Sequence, residues 1–125
     1  MKTFTGLHVD LEMAGGILIA KYKSGPKIDL QAAKQILQER INFTEEKSIP
    51  VLVIDSGLVS MDKQARDFLS SEEGIKGIKA SAIISNSKVN SMLVNFVLLI
   101  SRPNLPVKMF TNYNDAMAWL DTFKE

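Results

Sequence analysis

His8, Asp10 and Glu12 stand at alternate positions near the start of a 125-residue chain, a spacing that puts their side chains on one face of an extended strand. An imidazole and two carboxylates can hold a divalent cation. Metal sites generally draw their ligands from several elements, so three groups on one strand read as a solvated face, and no metal or other cofactor is expected. His8 is the single histidine, and the chain has no cysteine. Thiolate nucleophiles, zinc-thiolate sites and disulfides are thereby removed together. The sequence also has no phosphate-binding glycine loop, dinucleotide fingerprint or nucleophile elbow, and the expectation is a protein that is not an enzyme. Gly74-Ile-Lys-Gly77 imitates a nucleic-acid-binding Gly-x-x-Gly loop. Here it precedes a strand, and helix-end glycines are the better reading.

Bulk properties narrow the partners. Fifteen basic residues against 14 acidic ones leave a net charge of +1, too little to gather phosphates over a distance, so no nucleic-acid partner is expected. The amino terminus has no apolar run of the kind that signals export, which with the absence of cysteine points to a cytoplasmic address. The strongest membrane-like stretch, Met92 to Ile100, is about half of the ~20 residues needed to cross a bilayer, so no transmembrane segment is expected. Nothing in the composition divides the chain, and residues 1–125 read as a single domain.

The elements follow from periodicity. Leu7, Val9, Leu11 and Met13 alternate with polar residues and predict a half-buried strand. Gly15-Gly16 predicts a tight turn into a second strand, Ile17 to Tyr22, making an antiparallel hairpin. Asp29 predicts a helix cap, with Leu30, Ala33, Leu37 and Ile41 recurring at helical spacing behind it. Val51 to Ile54 is a continuous apolar run, the mark of a strand buried on both faces. A short helix from Asp62, a strand from Ala80 to Ser85, an apolar helix after Ser87, a strand from Val107 to Phe110 and a helix capped by Thr111 or Asn112 complete the order β-β-α-β-α-β-α-β-α. Strands joined through helices must run parallel. The expected fold is therefore α/β, a five-stranded mixed sheet with about four helices.

Two stretches, Val51-Leu-Val-Ile-Asp-Ser-Gly-Leu-Val-Ser-Met-Asp62 and Pro106-Val-Lys-Met-Phe110 with Ala116-Met-Ala-Trp-Leu120, together with this element order, resemble the STAS domain superfamily in its SpoIIAA-like branch, which includes SEC14-type domains. The resemblance implies a regulatory, protein-binding module. Its recognition surface would be the loop after the central strand and the start of the next helix: Ser56, Ser60, Asp62, Lys63, Gln64 and Arg66. In partner-switching members a serine pair follows the helix-opening aspartate and one serine is phosphorylated. Lys63 and Gln64 stand at those positions here, so no phosphorylation is expected at the start of this helix, and Ser56 and Ser60 are the nearest acceptors.

The helix after Ser87 is apolar on nearly every side and must be covered on all of them. Met92, Phe96, Val97 and Ile100 would face the sheet, a second copy of the chain in a homodimer, or an apolar ligand of the kind SEC14-type domains enclose. A carrier of an apolar small molecule or lipid is therefore the alternative to a regulatory module.

Overall fold

The computed structural model describes residues 2–55, 60–85 and 105–124. Six strands form one sheet in chain order, β1 (Thr3–Thr5), β2 (Val9–Ala14), β3 (Ile17–Tyr22), β4 (Ile49–Asp55), β5 (Ile78–Ser85) and β6 (Val107–Phe110). The pairs β1/β2 and β2/β3 are antiparallel, while β3/β4, β4/β5 and β5/β6 are parallel. The change of direction follows from the connections. Gly15 and Gly16 adopt φ values of 57° and 85°, positive values that glycine reaches without a Cβ clash, and so turn β2 directly into β3. Each later connection is long enough to bring the chain back to the same end of the sheet.

Three helices lie among the described residues: α1 (Leu30–Phe43), α2 (Lys63–Leu69) and α3 (Tyr113–Asp121). Each is opened by a side chain that accepts from a free backbone amide of the first turn, as capping chemistry requires. Asp29 takes the Ala32 N–H at 2.8 Å, Asp62 that of Ala65 at 2.9 Å and Asn112 that of Asp115 at 2.8 Å. Asn112 rather than Thr111 is thus the terminal cap.

The sheet divides the core into two layers. On one face Val9, Leu11, Leu18, Ala20, Val51, Val53 and Ile83 pack against Ala33, Ile36 and Phe43 of α1 and Ala65 and Leu69 of α2. On the other, Ile17, Ile19, Leu52, Ala80, Ala82 and Ile84 receive Ala116 and Leu120 of α3. Strand β4 lies inside the sheet and sends alternate residues into both layers, which is why Val51 to Val53 carries no polar side chain. Trp119 packs at the edge of the second layer, with ring centroids 5.6 Å from Phe110 and 4.9 Å from Phe123.

Two expectations are corrected. Among the described residues the sheet has six strands and not five: Thr3–Thr5 pairs with β2, and three residues are too few for alternation to show. The strand expected from Leu7 begins instead at Val9, and Leu7 is 70% exposed. Gly6 folds back to donate its N–H to the Val9 carbonyl at 3.1 Å, and this local turn carries Leu7 off the pleat. The helix expected after Ser87, with Met92, Phe96, Val97 and Ile100, lies outside the described residues.

Candidate functional site

The starts of α1 and α2 are joined. Ile28 and Met61 form a parallel bridge in which the Ile28 N–H donates to the Ser60 carbonyl at 2.8 Å and the Asp62 N–H to the Ile28 carbonyl at 3.0 Å. Both side chains are buried. The bridge explains why the short α2 holds its place: its start is stitched to that of the longer α1, and the two capping aspartates, Asp29 and Asp62, each follow a bridge residue.

The expected recognition residues fall on this joined edge as follows. Ser60, Lys63 and Gln64 are exposed. Lys63 pairs with Asp67 one turn along at 2.7 Å, a solvated pair that contributes only a few tenths of a kcal/mol. Asp62 is half-buried in its capping role. Arg66, expected to be exposed, is half-buried instead, because its Nη1 reaches back to the Met61 carbonyl at 3.3 Å. Ser56 lies outside the described residues. The carboxylates of Asp29 and Asp62 occupy the two helix starts and offset their positive dipole ends.

The three residues considered first as metal ligands are placed on and beside β2. The Asp10 carboxylate pairs with Lys23 at 2.9 Å, the His8 carbonyl accepts the Lys23 N–H at 3.0 Å, and Glu12 lies opposite Thr3 of β1. Among the described residues no group of three histidines or acids is placed to hold a metal ion, and no helix is long and apolar enough to cross a membrane.

A buried polar group escaped sequence reasoning. Arg40 is 9% exposed, and its Nη2 donates to the carbonyls of Gly74 at 2.7 Å and Lys76 at 3.1 Å, clamping α1 to the loop between α2 and β5. Tyr22 is buried beside it. The signal was available: Ala33, Ile36, Leu37, Arg40 and Phe43 form the buried stripe of α1, and a charged residue on such a stripe asks for a partner. Asp55, fully buried at the end of β4 and engaged within the fold, is a second residue that was not singled out.

Burial pushes the Tyr22 phenol above the ordinary tyrosine value, with the nearby Arg40 charge pulling the other way. A phenol whose pKa is higher folded than unfolded holds its proton more tightly when folded. Its contribution to stability is therefore full below about pH 10 and is lost as the pH rises through the raised folded value. Urea titrations from pH 8 upward should show this alkaline decline in the wild type and a shallower one in Tyr22→Phe. Equal slopes would mean that Tyr22 ionises as freely folded as unfolded.

The mixed sheet with α1 and α2 on one face and α3 on the other makes an α/β fold, similar to the SpoIIAA-like fold. An uncharacterized protein of the DUF3478 family with a SpoIIAA-like fold, from Shewanella loihica PV-4, superposes with a TM-score of 0.59 at 18% identity, over 94% of this chain and 98% of that one. Likeness at that identity speaks for the fold alone. The chain belongs to the DUF7793 family, a domain of unknown function, whose model matches residues 11–124. No curated protein matches it.

Proposed function

We propose that this domain acts by binding a protein partner and not by catalysis, with the joined starts of α1 and α2 as the recognition edge. The observation that supports the reading is the Ile28–Met61 bridge. It fixes two helix starts in one rigid edge on which Lys63 and Gln64 stand exposed, so a partner would meet a surface whose ordering entropy has already been spent in folding. Because neither Lys63 nor Gln64 can accept a phosphate, partner exchange here does not use the helix-start phosphorylation of partner-switching STAS domains.

The test is capture in the native cell by a photo-crosslinking residue at position 64, read beside Lys63→Glu. Exposed changes of this kind move stability by about 0.5 kcal/mol or less, so the variant should melt with the wild type. A captured partner whose recovery falls at least tenfold with Lys63→Glu supports the proposal. Undiminished capture by Lys63→Glu would reject the edge. An apolar molecule copurifying in stoichiometric amount would reject the reading in favour of a carrier, whose chamber would lie beside Met92, Phe96 and Ile100.

A further inference from the structure

We propose that the cavity between α1 and the sheet is a binding site for a single halide-sized anion, chloride in the cell, held by Arg40. The first observation is an imbalance of charge. Arginine keeps its proton in proteins, and a buried guanidinium normally lies against a carboxylate because a desolvated charge costs several kcal/mol otherwise. Arg40 meets two carbonyl oxygens through Nη2, which occupy two of its five N–H donors without neutralising its charge. Among the described residues no carboxylate forms an ion pair with it. The sequence outside the described residues contains no aspartate, and Glu125 is its one glutamate.

The second observation is space of the right size and lining. Arg40 lines a cavity of about 30 Å³, room for about one chloride or one or two waters. Its polar walls are Tyr22, Glu39, Arg40 and Ser81, set among apolar residues. Tyr22 keeps its proton through burial and Ser81 is buried, so two of the lining residues carry hydroxyls able to donate. Glu39 is only half-buried and accepts from Gln35 on the exposed side of α1 at 3.2 Å. Arg40 also borders a second cavity of about 20 Å³, whose one acid is Glu46, an exposed residue. An anion in the first cavity would neutralise the guanidinium that ties α1 to the Gly74–Lys76 segment, and would bind the folded chain alone.

The proposal is independent of the protein-binding edge, and its test needs no partner. Wild-type crystals grown in sodium bromide should show an anomalous peak in contact with the Arg40 guanidinium. In solution, the melting midpoint should rise saturably by a few degrees in chloride or bromide relative to gluconate at equal ionic strength, as selective binding to the folded state requires. Loss of one hydrogen bond to a charged group weakens binding roughly tenfold or more, so Tyr22→Phe should need at least ten times more halide for the same rise. Arg40→Met should abolish the rise; should Arg40→Met fail to fold, Tyr22→Phe and the crystals decide. An empty or water-filled cavity in bromide, or a midpoint that follows ionic strength whatever the anion, would overturn the proposal.

Discussion

Gly74→Ala is expected to destabilise the fold by about 3 kcal/mol, a large loss for a glycine in a loop, because Gly74 is buried. A Cβ built at Gly74 would sit 2.1 Å from the Phe68 carbonyl oxygen and 2.7 Å from the Leu69 backbone. These are atoms at the end of α2 and cannot swing aside as a side chain would. The glycine is also tied at both of its backbone groups: its N–H donates to the Ser71 hydroxyl at 3.1 Å and its carbonyl accepts from Arg40 at 2.7 Å. Moving the loop to admit a methyl group therefore strains the clamp from α1 as well. Gly25, which has nothing within 4 Å of a built Cβ, is the matched control, and its alanine variant should unfold with the wild type. Urea midpoints for the two variants and the wild type make the comparison. Coincident curves for Gly74→Ala and Gly25→Ala would show that the α2–β5 loop gives way freely and is not tightly packed.

The same loop shows why some of the structure was legible in sequence and some was not. Capping aspartates, a two-glycine hairpin and the unbroken apolar run of β4 are local signals, each set by the chemistry of a few adjacent residues. They placed β3, α1, β4 and α2 correctly. Thr3–Thr5 emits no such signal, because its place in the sheet depends on pairing with β2 and not on its own pattern. Leu7 followed the alternation and still fell outside the strand, since a hydrogen bond across Gly6 to Val9 outweighed the pattern. The candidate edge was legible in part: Asp62 reads as a cap, but its neighbour at Ile28 lies more than thirty residues away in the sequence, and only folding brings the starts of α1 and α2 together. Arg40 is the most instructive omission. Its position on the apolar stripe was visible, while its partners, Gly74 and Lys76, are backbone carbonyls that no sequence motif marks.

Leu52→Ala should be at least as costly, about 3–4 kcal/mol, because it opens a cavity at the point where the sheet carries α3. Leu52 has 0% exposure. It lies between Ile19 of β3 and Ala82 of β5 in register, and shares its layer with Ala80, Ala116 and Leu120. The alanines matter to the magnitude: small residues on both sides let α3 approach the sheet closely, so they have no longer side chains to swing into the space that Leu52 would vacate. Ile54, on the same face but only partly buried, should lose less than half as much on truncation. A second measurement tests the link to α3. If the helix rests on Leu52, then Leu52→Ala and Leu120→Ala damage one shared contact, and the double variant should lose at least 0.5 kcal/mol less than the sum of the singles. Denaturant titrations of the four proteins close the cycle. Strict additivity, with each single variant still costing several kcal/mol, would mean that the two leucines are buried separately and that α3 is held to the sheet by other contacts.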